Sequence, residues 1–436
     1  MKAHKASEMA SQRTDSESSH ARCQNVQSGI TLMKCLSRGM WLITGIFLLS
    51  VAVPSAQAAS FVTSVVAAGL NNPRGLAFAP DGTLYVAESG LGAGNGTGGF
   101  GAGIGLTGSI TAITNPASLN PTASRVITGL ASLGSTEFGP EVLGPDGISF
   151  QQNGKLSIIM PESSQGLSLQ PSDLGFGQVG HLLEATLPGG TWQAKADVGN
   201  FNFDWTNINR NLAPPGQFPD ANPYAVLALP DAQYVVDAGA NTLNKIKPDN
   251  SIEILAYFPN PPISDAVPTC VAHGSDGSLY VGTLGAFVPG QAKVYKVNPN
   301  LPGIQYLNSS NEWASGFWGI TGCGFGPGGF YVTEYLSGDL IQIAINPDGT
   351  AGPTTKIIDS LVNPNGFAVG PDGAIYVSNK SNSDQGGAGE VVRIIAVPEP
   401  RFSFSLLAFG ILGAASSFKR KLKSSQSTEK ETTKVG

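Results

Sequence analysis

The sequence predicts an all-β fold, a six-bladed β-propeller built of four-stranded blades. Three observations predict it. One strand–turn–strand pattern recurs six times between Pro73 and Asn379. Gly and Pro supply 56 and 30 of the 436 residues, as a chain rich in turns requires. Only 13% of residues are charged while 41% are hydrophobic, which fits a packed core and not a disordered chain.

The ends differ in charge from the body. Residues 59–397 hold 12 basic and 25 acidic side chains, whereas most of the remaining basic residues flank apolar stretches at the two ends. Residues 1–58 read as a polar leader followed by a secretory signal peptide. Lys34 and Arg38 precede the apolar run Met40–Val53, and Ala56-Gln57-Ala58 is an A-x-A cleavage site. The mature chain is then expected to start at Ala59. Met33 or Met40 would serve as alternative starts, and an uncleaved anchor is the competing reading of a run this short.

The body, residues 59–397, is the propeller. The clearest repeats are PRGLAFAPDGTLYVAE (Pro73–Glu88) and PNGFAVGPDGAIYVSN (Pro364–Asn379). Between them lie PDGISFQQNGKLSIIM (Pro145–Met160), PYAVLALPDAQYVVD (Pro223–Asp237), PTCVAHGSDGSLYVGT (Pro268–Thr283) and ITGCGFGPGGFYVTE (Ile320–Glu334). Each has a short apolar strand, a turn of the Asp-Gly kind and a second strand of the Leu-Tyr-Val kind. Asp-Gly favours the positive φ of a tight hairpin, and β-branched and aromatic residues suit strands. Further strands follow at Leu243–Lys247, Lys293–Val297 and Leu340–Ile345, each before another turn. Closure is expected from Phe61–Val66, which would pair as the outer strand with Glu390–Ile395. Two smaller β domains are the competing architecture, and the continuous run of repeats argues against them.

At the C-terminus, Val397-Pro398-Glu399-Pro400 precedes the apolar stretch Phe402–Phe418, then Lys419, Arg420, Lys421 and Lys423. This predicts a transmembrane helix over residues 398–423, with the basic cluster on the cytoplasmic side. A polar tail, Ser424–Gly436, ends the chain. The order Pro-Glu-Pro, apolar helix, basic cluster resembles the PEP-CTERM sorting signal of Gram-negative bacteria. That resemblance implies processing by an exosortase-type enzyme, after signal peptidase at the N-terminus. A plain tail anchor is the alternative.

The repeats themselves resemble NHL-type and gluconolactonase-type propeller blades. The whole body is similar to the ScyD/ScyE family, through Leu70–Glu88, Phe176–Glu184, Asn222–Lys247, Ala266–Val297 and Leu361–Ile394. The resemblance implies an exported protein, in the periplasm or at the cell surface. For the founding cyanobacterial members it implies an accessory role in assembling the pigment scytonemin. It carries over no catalytic residue.

Strand parity places the residue leading into each first strand, and the residue ending each second strand, at one edge of the hairpins. Around a propeller these edges gather at the channel mouth. The lead-in residues are Arg74, Asp146, Tyr224, Thr269 and Asn365. The exit residues are Glu88, Asp237, Thr283, Glu334 and Asn379, with Glu162 two positions beyond its equivalent. Arg74, Glu88, Glu162, Tyr224, Asp237, Glu334, Asn365 and Asn379 are therefore the expected ligand-binding set. Glu88, Asp237, Glu334 and Asn379 offer the hard oxygens of a divalent cation site such as Ca²⁺. Gluconolactonase-like propellers hold a metal in a comparable place. The alternative is that these side chains cap free backbone N–H groups at the strand ends.

Other motifs are weaker. Gly90–Gly108 contains Gly94-x-Gly96-x-x-Gly99 but sits between two propeller strands with no helical pattern after it, so it reads as an insertion. Phe201, Phe203 and Trp205 alternate, and either line an aromatic pocket or pack a loop onto its blade. Cys270 and Cys323 remain after signal cleavage, as a disulfide or as two buried thiols. Only His181 and His273 lie in the body, and no G-x-S-x-G or C-x-x-C-H occurs. The acidic body gives nucleic acid no basic surface to bind. The expected function is a ligand- or surface-binding accessory propeller, its partner a small molecule, pigment or polymer. A metal-dependent lactonase-like hydrolase and a structural component of extracellular polymer are the alternatives.

Overall fold

The computed structural model describes residues 60–94, 101–135, 141–214, 219–260, 263, 265–383 and 386–397. The stretches expected to be a signal peptide and a C-terminal sorting segment lie outside them. Among the described residues no helix is long and apolar enough to cross a membrane.

Six antiparallel sheets follow one another along the chain and form the six blades. The inner strands, in blade order, are Pro73–Phe78, Ile148–Phe150, Pro223–Ala228, Pro268–His273, Ile320–Gly326 and Phe367–Val369. Each pairs with the second strand that the repeat predicts: Leu84–Glu88, Leu156–Ile159, Gln233–Asp237, Leu279–Thr283, Gly329–Glu334 and Ile375–Asn379. The turns between them follow the sequence grammar. Gly82, Gly154, Gly277, Gly328 and Gly373 all take φ near +80°. Asp81 Oδ1 accepts from the Thr83 N–H at 2.9 Å and Asp276 Oδ1 from the Ser278 N–H at 3.0 Å, so the Asp side chain locks its own turn.

The predicted closure is observed. Ser60–Leu70 pairs antiparallel with Gly389–Val397, from Ser60 opposite Val397 to Leu70 opposite Gly389. The ring therefore closes inside blade six, with strands from both ends of the body. Strict four-stranded blades are not observed throughout. Blade one gains the two-residue strand Val142–Leu143, and Gln305–Tyr306 joins blade three in parallel.

Six apolar clusters fill the six interfaces between blades. The second-strand tyrosines anchor several of them. Tyr85 meets Phe150 at 5.2 Å, Tyr280 meets Phe325 at 5.0 Å and Tyr376 meets Phe78 at 5.1 Å between ring centroids, all edge to face. Near the axis the backbones are too close for side chains. A Cβ on Gly75 would lie 2.6 Å from the Asp146 carbonyl, and one on Gly366 would lie 2.3 Å from the Arg74 carbonyl. Glycine just after the lead-in residue is what lets neighbouring inner strands bond directly, as Gly75 N does to Asp146 O at 3.1 Å.

Cys270 and Cys323 form a disulfide between the inner strands of blades four and five, their Cα atoms 5.8 Å apart. Gly282 makes room, because a Cβ there would come within 2.5 Å of Cys270 Sγ. The bridge closes a loop over a sequence separation of 53 residues, which corresponds to a stabilisation of about 2–4 kcal/mol. Replacing both cysteines with serine is expected to lower the denaturant midpoint, and reductant should do the same to the wild type. Unchanged midpoints in both experiments would remove the bridge from the stability argument.

Asn200–Asn211 does not continue the strand pattern. Val198–Ile208 is an α-helix, and Asp197 caps it by accepting from the Asn200 N–H at 3.0 Å. On this helix Phe201 and Trp205 are four apart and share a face while Phe203 lies on another, so the three build no common pocket wall. Trp205 packs on Tyr257 at 5.1 Å, and the packing alternative holds.

Candidate functional site at the channel mouth

The lead-in residues of all six blades come together around the axis. Two cavities meet there. One, of about 400 Å³, runs between the inner strands and is lined by Asp146, Tyr224, Thr269, Thr321 and Asn365. The other, of about 370 Å³, opens at the mouth and is lined by Arg74, Tyr224, Thr269 and Thr321 together with loop residues. The shared residues make the lead-in ring the boundary between the two. Thr321, the blade-five member, is missing from the sequence-based set. Aligning Ile320-Thr321 with Pro268-Thr269 would have found it.

The exit residues do something else. Glu88 Oε2 accepts from the Asn71 N–H at 2.7 Å, and Asp237 Oδ1 from the Asn222 N–H at 2.7 Å. Glu334 Oε1 accepts from the Trp318 N–H at 2.9 Å, and Asn379 Oδ1 from the Val362 N–H at 2.7 Å. In each of these blades the side chain ties down the segment that enters its own first strand. None of the four lines either cavity. Among the described residues no group of three or more His, Cys, Asp or Glu is placed to hold a metal. Glu88, Asp237, Glu334 and Asn379, the expected cation set, are thus each engaged as a backbone cap. At this strand end each of the four side chains turns to the backbone of its own blade. Chelation by EDTA is expected to leave the melting temperature within about a degree. A fall of several degrees, reversed by Ca²⁺, would restore an ion to the fold.

The ring itself is polar and strained electrostatically. Arg74 is buried, and its Nη2 donates to the Val142 carbonyl at 2.8 Å and its Nε to Ser89 Oγ at 3.3 Å. Burial opposes its charge, but the facing Tyr224, Asp146, Tyr335 and Glu141 hold the guanidinium protonated and push it up. Tyr224 Oη accepts from Asn365 Nδ2 at 2.6 Å, and burial raises this phenol. Asp146 is 1% exposed, yet neither carboxylate oxygen has a hydrogen-bond partner. Burial pushes it up to about 7, against the pull of Arg74. Burial, with Asp220, Asp237 and Glu141 nearby, pushes Glu162 up to about 8. Glu162 also holds a left-handed backbone at φ 68°, uncommon for a residue with a side chain.

These carboxyls fix the sign of the pH dependence. Burial also raises Asp237, to about 6. In the unfolded chain all three release their protons near pH 4. Between about pH 4 and 8 the folded state holds protons that the unfolded state has lost, so raising pH favours unfolding. The melting temperature is expected to be higher at about pH 5.5 than at about pH 8.5, and Asp146→Asn should flatten the slope. A curve that rises over this range would contradict the placement of these groups.

No protein family and no curated protein matches the chain. Solved structures similar over most of its length do exist. A carbohydrate-active enzyme of family AA12 from Trichoderma reesei, in a calcium structure, is 10% identical over 78% of this chain and 97% of its own, with a TM-score of 0.49. The soluble aldose sugar dehydrogenase of Escherichia coli is 10% identical over 78% of this chain and 100% of its own, with a TM-score of 0.48. A gluconolactonase from Xanthomonas campestris is 8% identical over 77% and 89%, with a TM-score of 0.45. At these identities and scores the likenesses carry no argument about activity or ligand. The fold stands on the six sheets and their closure.

Proposed function

We propose that the chain is an exported, envelope-associated propeller of the ScyD/ScyE type that binds a small molecule at the channel mouth. The A-x-A site and the PEP-CTERM-like tail support the export. One observation carries the binding: Asp146, buried to 1% exposure in the lead-in ring, leaves both oxygens unpartnered where it lines the inner cavity. A buried carboxylate without a partner costs more than a fold retains for packing alone, so it marks a place where something else supplies the donors. A lactonase-like reading needs a metal with an open position, and the carboxylates nominated for it are engaged by backbone.

A thermal-shift screen of small molecules against the wild type, Tyr224→Phe and Asn382→Ala tests the proposal. The expected result is a ligand that stabilises the wild type and stabilises both variants less. Equal shifts in all three proteins would place binding elsewhere and overturn it. Turnover of a lactone or ester that Asp146→Asn abolishes would replace binding with catalysis.

A further inference from the structure

The mouth is complementary to one sign of charge. Every polar atom buried there without a partner is an acceptor: Oδ1 and Oδ2 of Asp146, Oδ1 of Asn222 and Oδ1 of Asn382. Asn222 and Asn382 line the mouth cavity, and Asp146 stands in the ring beneath it. Arg74 is the one cation among the described lining residues, and two of its nitrogens are already committed to Val142 and Ser89. The carboxylates near it are Glu141, in the lining, and Asp146, with Glu162 close both to Glu141 and to Asp220. The groups that face Asp146 are thus Arg74, Glu141 and the phenol of Tyr224, and Tyr335 completes the wall.

The other walls are apolar or aromatic: Leu143, Val267, Leu284, Tyr335 and Phe287. Phe287 is 55% exposed and holds φ 59°, beside Ala286 at φ 51°. A bulky residue in the left-handed region is strained, and here the strain keeps an aromatic ring at the rim of the cavity.

We infer that the mouth takes an organic cation, a small ammonium whose N–H donors meet the unpartnered acceptors while its apolar part lies against Phe287 and Tyr335. The inference rests on the reading of the mouth as a binding site. An ammonium brings donors and positive charge and no acceptor, which is what this lining lacks. Aromatic walls beside carboxylates suit an organic cation through the ring faces. A neutral polyol would add acceptors of its own and leave the negative field uncompensated. A bare divalent ion would need several carboxylates within coordination distance, and the described residues provide no such group.

The test is calorimetric titration of the full-length chain with three probes of one shape: phenethylamine, 2-phenylethanol and phenylacetate. The amine is expected to bind at least about tenfold more tightly than the alcohol, with phenylacetate weakest. Its affinity should rise about tenfold from pH 6 to pH 8.5 as Asp146 ionises, because the amine stays charged across that range. Asp146→Asn should remove this rise. Glu141→Gln, at an exposed position that no core packing depends on, should weaken the amine several-fold and leave the alcohol unchanged. Equal binding of amine and alcohol, tighter binding of phenylacetate, or no binding of any probe would overturn the inference. The binding reading is judged separately by the thermal-shift screen, where a neutral or anionic hit that depends on Tyr224 would sustain it while ending this one.

Discussion

A chain lacking Ser60–Leu70 is expected to lose its cooperative unfolding transition. This strand is the outer edge of blade six, and it carries the segment before blade one into the sheet of the last blade. Nine of its residues pair with Gly389–Val397, and Val66, Ala67 and Leu70 are buried. Burying a Val or Leu side chain is worth about 1.5–3 kcal/mol, and a ladder hydrogen bond nets about 0.5–1.5 kcal/mol. Their sum is of the same order as the ~5–15 kcal/mol by which a whole domain is stable. The loss also propagates, because each blade buries its faces only against its neighbours. Opening blade six uncovers the cluster it shares with blade one, where Val66 and Leu70 meet Leu76, Val86 and Tyr376. Circular dichroism on heating should show a broad drift in place of a sharp transition, and a dye for exposed apolar surface should bind before heating. A truncated chain that melts sharply within a few degrees of the parent would show that closure by this strand is dispensable.

What could be read from the sequence follows from what repeats. The hairpins were legible because Asp-Gly and Leu-Tyr-Val occupy the same places in successive copies, and the closure was legible because one blade lacked an outer strand. The lead-in ring was legible for the same reason, through Arg74, Asp146, Tyr224, Thr269 and Asn365. Position in a repeat does not, however, tell direction. Glu88 and Arg74 share one edge of one hairpin, yet Glu88 turns to the backbone of Asn71 while Arg74 turns to the axis. The partners of the site that do not repeat were illegible. Glu141, Phe287 and Asn382 sit in loops of different lengths, and only the folded ring brings them to one cavity. The helix at Val198–Ile208 was illegible because its aromatic residues alternate like a strand, and its cap at Asp197 is the one signal that marks it. The disulfide stayed undecided in sequence because it depends on the stagger between two blades.

Arg125→Met is expected to cost about 1–3 kcal/mol, less than the loss of a pair buried on both sides, because the Arg125 side chain is 41% exposed and solvent screens its charge. Glu88 is fully buried at the end of the second strand of blade one. Arg125, on the fourth strand, reaches across with Nε at 3.0 Å from Oε1 and Nη2 at 2.6 Å from Oε2. Thr111 Oγ1 on the strand between them donates to Oε1, and the Asn71 N–H donates to Oε2. One carboxylate thus fastens three strands and the lead-in segment of its blade. A bidentate guanidinium is the geometry that satisfies a buried carboxylate, and a lysine would leave one oxygen short. Removing Arg125 strands the charge of Glu88 in the interior, and most of the cost is that stranding and not the loss of attraction between the pair. The double variant Arg125→Met with Glu88→Gln is therefore expected to recover a large part of the stability lost by Arg125→Met alone, since the amide needs no counter-charge and still accepts from Asn71. Chemical denaturation of the wild type, the two single variants and the double variant gives the coupling directly. Strict additivity, with no recovery in the double variant, would mean that Arg125 stabilises blade one by packing its methylene stem and not by holding the charge of Glu88.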